Sequence, residues 1–106
     1  MKELSHYING EYVKGTSGRF ADVYNPATGE VQAKVPLASE EEMHAAVEIA
    51  QSVQPAWAAV NPQRRARVMM KFVDLLNRDM DKLAESLSAE HGKTFPDAKG
   101  DVQRGL

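Results

Sequence analysis

The chain has 106 residues, 42% of them apolar and 26% charged, a globular composition with room for one core at most and no sign of extended disorder. Thirteen basic residues are scattered among fifteen acidic ones, for a formal net charge of −2, so there is no electrostatic footprint for nucleic acid or an anionic membrane. Cysteine is absent, which removes disulfides, thiolate metal sites and a cysteine nucleophile from these residues.

At the N-terminus, Met1-Lys2-Glu3-Leu4-Ser5-His6 shows neither a signal-peptide apolar core nor an Arg-rich transit pattern, and no window reaches the ~18 consecutive apolar residues of a membrane span. The cytoplasm is the expected compartment. In Tyr7-Ile8-Asn9-Gly10-Glu11-Tyr12-Val13, Asn-Gly separates two β-favouring runs and tolerates the positive φ angles of a two-residue turn, which predicts a first β-hairpin. Residues 14–19 are polar and glycine-containing and read as a loop. A second hairpin follows: Phe20 to Tyr24 and Val31 to Val35 are extended runs around Asn25-Pro26-Ala27-Thr28-Gly29-Glu30. Its turn has a mechanism in the fixed φ of Pro26 and the permissive φ of Gly29. Strand alternation predicts Val31, Ala33 and Val35 on one face. The two hairpins together span 7–35.

A helix is expected over about 39–54. Ser39 and Glu42 have the spacing of a capping box, Glu40 and Glu41 suit the positive end of the helix dipole, and Pro55 should end or kink the helix. Asn61-Pro62 is a second start, with proline at the position where its missing donor costs nothing. Met69, Phe72, Val73, Leu76, Met80, Leu83, Ala84 and Leu87 then recur at helical spacing, predicting one long helix over 62–91 that Gly92 stops. Its opposite face is charged and reads as solvated or as an interface. A third helix is expected from about residue 96, with no end in the sequence; Val102 and Leu106 lie one turn apart.

Chemistry is sparse. His6, His44 and His91 fall in different elements without ligand spacing, so no metal site is expected. Gly-x-Gly-x-x-Gly, the phosphate-binding loop and Gly-x-Ser-x-Gly are all missing; Gly92-Lys93-Thr94 follows a helix, and Leu87 stands where a phosphate loop needs its first glycine. Glu40, Glu41 and Glu42 are better explained by capping than by acid–base work. Trp57, the only tryptophan, reads as a core anchor. Arg104, in Val102-Gln103-Arg104-Gly105-Leu106, is on its own an ordinary helix residue near Asp101 and Lys99.

The ordered set Tyr-Ile-Asn-Gly-Glu-Tyr-Val (7–13), Asn-Pro-Ala-Thr-Gly-Glu-Val (25–31), Val-Pro (35–36), Arg-Arg-Ala-Arg (64–67) and Glu-His-Gly-Lys (90–93) resembles the N-terminus of the aldehyde dehydrogenase superfamily. Glu90-His91-Gly92-Lys93-Thr94 with Asp101-Val102-Gln103-Arg104-Gly105-Leu106 resembles its CoA-acylating methylmalonate-semialdehyde dehydrogenase branch. The resemblance implies an α/β fold of which 1–106 is the N-terminal portion of the NAD-binding domain, without the catalytic domain. It also implies NAD-dependent oxidation of malonate or methylmalonate semialdehyde, with acyl transfer to CoA giving acetyl-CoA or propionyl-CoA. NAD and CoA are then cosubstrates of a larger homo-oligomeric enzyme, a dimer or tetramer. The nucleophilic cysteine and dinucleotide-binding units lie beyond Leu106, and these residues alone are expected to be inactive, with none assigned to catalysis or cofactor binding. Arg104 matches the arginine that the branch turns toward the substrate carboxylate, a role the guanidinium fork suits; the alternative is a structural ion pair. Other readings are another aldehyde dehydrogenase, or a freestanding helical module that binds protein through the 69–87 stripe.

Overall fold

The computed structural model describes Met1 to Leu106 throughout, in two units: Met1–Tyr24 with Val31–Ala59, and Asn25–Glu30 with Val60–Leu106. In the first unit, β2 (His6–Ile8) and β3 (Glu11–Val13) form the expected hairpin, preceded by β1 (Lys2–Glu3). Asn9 and Gly10 take φ of 55° and 76°, the paired positive values of a turn that matches strand twist. Tyr7 stands opposite Tyr12, their rings edge to face at 5.2 Å.

The second hairpin pairs β4 (Phe20–Tyr24) with β5 (Val31–Pro36). The sequence does not predict β1, which adds to β5 in parallel and makes β5 the central strand of the order β1-β5-β4. Two residues carry no periodicity, and their partners lie far along the chain. Ala33 is buried on this central strand, whereas Val31 and Val35 are half-buried like Gln32 and Lys34 between them. The ladder steps from Val23↔Ala33 to Tyr24↔Val31, so Gln32 is an extra residue, and this bulge breaks the two-residue period on which the single-face expectation rested.

The helix α1 runs over Glu40–Ala59, with Pro55 inside it, and so passes the expected end near 54. Proline removes one amide donor, but residues 51–59 are all exposed, so water can satisfy the freed carbonyl, and the alanines at 56, 58 and 59 favour helix. Trp57 is 44% exposed and anchors no core within this chain, contrary to expectation.

In the second unit, the long helix expected over 62–91 is two: α2 (Pro62–Arg78) and α3 (Met80–His91). Asn61 caps the start through Oδ1, which accepts from the Gln63 amide at 2.8 Å. The break is at Asp79, with φ −102° and ψ 16°. Just before it, Asn77 Nδ2 donates to the Val73 carbonyl at 3.1 Å, and Arg78 donates to the Asp79 carboxylate at 3.1 and 2.8 Å. Short polar side chains compete with helix geometry there, while the apolar stripe continues in register and conceals the break. Of that stripe only Ala84 is buried; Met69 and Phe72 are more than half exposed.

Gly92, at φ 85°, ends α3 with its amide bonded to the Ser88 carbonyl. A Cβ at Gly92 would lie 2.9 Å from Cγ of Pro26, in the turn that joins β4 to β5. The last helix, α4 (Phe95–Arg104), is capped by Thr94, whose Oγ1 accepts from the Asp97 amide. It begins close to the expected residue, and its last helical residue is Arg104. Ala84 and Ala98, fully buried on α3 and α4, let these two helices pack closely.

A candidate carboxylate site at the end of α4

The turn at Gly92 delivers Lys93 to α4 just ahead of the Thr94 cap. From there Lys93 Nζ donates to Oδ2 of Asp101. Arg104, one turn beyond Asp101, approaches Oδ1 through Nη1 at 3.4 Å. Lys93 and Asp101 are largely covered, at 23% and 32% side-chain exposure, whereas Arg104 is 85% exposed. The Asp101 carboxyl is held below its usual range, first by the Lys93 hydrogen bond, against desolvation, with the Lys93, Arg104 and His91 charges adding. Two cations thus share one anion. Arg104 spends one weak hydrogen bond on Asp101, which leaves most of a planar five-donor fork available to an incoming carboxylate.

Lys99, which the sequence sets near Arg104, is occupied elsewhere: its ammonium lies 3.0 Å from Asp81 on α3 and 5.7 Å from the Phe95 ring. It ties α4 to α3. The contact between Asp101 and Arg104 is visible in their three-residue spacing. The contribution of Lys93, eight residues from Asp101, is not.

The first unit holds a second polar cluster with a different outcome. Glu42 completes the expected capping box: its Oε1 accepts from the Ser39 amide at 3.1 Å, and Ser39 Oγ accepts from the Glu42 amide at 3.1 Å. The same Oε1 also accepts from the Thr16 amide at 3.2 Å, fastening loop 14–19 to the helix start. These donors, the Ser39 amide foremost, lower the Glu42 carboxyl's pKa against desolvation. His6 Nε2 lies 3.8 Å from Glu42 Oε2 and makes no hydrogen bond. His44 faces Glu40 at 4.0 Å, His91 ends α3, and no three acidic or histidine side chains converge to hold an ion.

The one strand-to-helix junction, between β5 and α1, is Leu37-Ala38-Ser39. It has no glycine for close backbone approach and opens onto three glutamates, which would repel a pyrophosphate. These residues do not fit the phosphates of a dinucleotide.

Residues 12–106 match the model of the aldehyde dehydrogenase family. A malonate-semialdehyde dehydrogenase of Geobacillus kaustophilus is 47% identical over 99% of the chain, which spans 22% of that relative. The acylating, mitochondrial methylmalonate-semialdehyde dehydrogenase of Arabidopsis thaliana is 48% identical over 97% of the chain and 17% of its own length. A structure from Sinorhizobium meliloti 1021, assigned as a methylmalonate-semialdehyde dehydrogenase and complexed with NAD, superposes over the whole chain with a TM-score of 0.97. It is 64% identical, and the match covers 22% of it. The chain therefore spans about a fifth of the length of the relatives it matches. No helix is long and apolar enough to cross a membrane. The match over nearly all of the sequence, and the fold that goes with it, establish that the chain belongs to the aldehyde dehydrogenase family.

Proposed function

We propose that these residues are the N-terminal portion of an NAD-dependent, CoA-acylating dehydrogenase that converts malonate or methylmalonate semialdehyde to acetyl-CoA or propionyl-CoA. In this reading Arg104 receives the substrate carboxylate. The observation that carries it is a guanidinium that meets its neighbouring anion through a single nitrogen at 3.4 Å, the other oxygen of that anion being held by Lys93. A semialdehyde of a dicarboxylic acid keeps one carboxylate that must be held while its aldehyde reacts, and a planar fork holds it in a fixed direction. The relatives named for malonate and methylmalonate semialdehyde, one of them acylating, support this substrate class.

The chemistry requires a cysteine that forms a thioester as hydride passes to NAD, loss of carbon dioxide, and acyl transfer to CoA. That the 106 residues contain no cysteine, and that their strand-to-helix junction does not suit a dinucleotide, support the reading that they do not turn over substrate by themselves. The working enzyme is a homo-oligomer in this reading. Its compartment is the cytoplasm, with the mitochondrial location in the name of the Arabidopsis relative as the alternative that fractionation would decide.

The test is an assay of the full-length protein with malonate semialdehyde, NAD and CoA. NADH and acetyl-CoA are expected in equal amounts, with no turnover by residues 1–106 alone. Release of a free acid without thioester would move the protein to a hydrolytic aldehyde dehydrogenase.

A further inference from the structure

We propose that Lys93 keeps the Arg104 fork open to substrate by occupying the second oxygen of the Asp101 carboxylate, so that Asp101 holds the guanidinium by one contact only; this rests on the reading that Arg104 receives the substrate carboxylate. An aspartate three residues before an arginine on one helix face is placed to take the guanidinium with both oxygens. An arginine paired in that way would have to break two charge-assisted bonds before accepting a substrate. Here Oδ2 of Asp101 is occupied by the Lys93 ammonium, and Arg104 meets only Oδ1, through one nitrogen at 3.4 Å. Asp101 thus tethers the guanidinium without closing it, and Lys93 cancels the anion that would otherwise repel an incoming carboxylate.

The backbone holds Lys93 in that position. It sits between the left-handed Gly92, backed by Pro26, and the α4 cap at Thr94, so its ammonium comes from outside α4. Both Lys93 and Asp101 are partly covered, so salt screens the pair less than a fully exposed one. Lys93 is therefore a positioning residue that acts on the substrate through Asp101 and Arg104.

The test uses full-length protein and two aldehydes, malonate semialdehyde and propanal, which lacks the carboxylate. Lys93→Met frees Asp101 to close on Arg104, and KM for malonate semialdehyde is expected to rise about two- to fivefold, the range of a partly exposed ion pair, with a far smaller change for propanal. Adding Asp101→Asn removes the competitor and is expected to restore most of the loss, and Lys93→Arg is expected to retain the discrimination. A crystal structure of the Lys93→Met protein is expected to show both Asp101 oxygens on the guanidinium, a readout independent of substrate. Equal KM increases for the two aldehydes, no rescue in the double variant, or an Arg104 still singly contacted in that crystal structure would each overturn the role of Lys93. Failure of the carboxylate reading is separately visible, as equal losses on both aldehydes in Arg104→Lys.

Discussion

Two carboxylates, Glu42 in the first unit and Asp101 in the second, have their pKa lowered by hydrogen bonds, yet their surroundings differ in kind. Glu42 accepts chiefly from backbone amides, at Ser39 and Thr16, so its charge is consumed in closing a helix end and pinning a loop. Asp101 accepts from side-chain cations, and one of these, Arg104, gives it a single long contact. Backbone donors have nothing further to give once bonded, whereas a cation shared between anion and solvent retains capacity for a ligand. A lowered carboxylate pKa therefore does not mark a site by itself, since Asp79 is also lowered, by an Arg78 that spends two bonds on it at a helix break. What sets Asp101 apart is a cation, Arg104, that contacts it through one nitrogen only.

The comparison can be broken most strongly at the turn that delivers Lys93. Gly92→Ala combines a left-handed backbone with a contact of 2.9 Å to Pro26 and is expected to cost about 3 kcal/mol of local stability. Hydrogen exchange at the end of α3 in the full-length protein reads this. Gly29→Ala, also at positive φ but with open space around it, is expected to cost about 1 kcal/mol; equal costs would show that Pro26 does not brace the turn. In the first unit, Ser39→Ala removes half of the capping box and is expected to cost about 1 kcal/mol, read as faster exchange of the Glu42 amide.

The smallest effect is in pH. The folded Glu42 carboxyl lies below its ordinary value of 4.5, so its contribution is complete above that value and is lost as pH falls through the folded one. Protection of the Thr16 and Ser39 amides is expected to weaken over that acid range in the wild type and to stay flat in Glu42→Gln. An unchanged acid limb in the variant would show that the carboxylate does not hold loop 14–19.

Elements with local causes were legible in the sequence. Asn9-Gly10 dictates its turn through dihedral preference, Ser39 and Glu42 cap through a fixed spacing, and Gly92 stops a helix by adopting a conformation most residues avoid. Thr94 with Asp97 is a further start signal of this local type. What depended on distant partners was not legible: β1 exists only because β5 lies beside it, and the break at Asp79 hides within an unbroken apolar period. Trp57 reads as a core anchor from its size, and Met69 and Phe72 as an apolar stripe from their spacing, but all three are 44% or more exposed because burial depends on what packs against them. Arg104 was distinguished by resemblance alone, and the structure adds its exposure and the Lys93–Asp101 pair beside it.

The most direct measurement is the ratio of kcat/KM for malonate semialdehyde to that for propanal in wild-type and Arg104→Lys full-length protein. Lysine keeps the charge but loses the fork, and the ratio is expected to fall about tenfold or more, the worth of a charge-assisted hydrogen bond. A ratio that stays constant while both activities decline would contradict a carboxylate-binding role for Arg104.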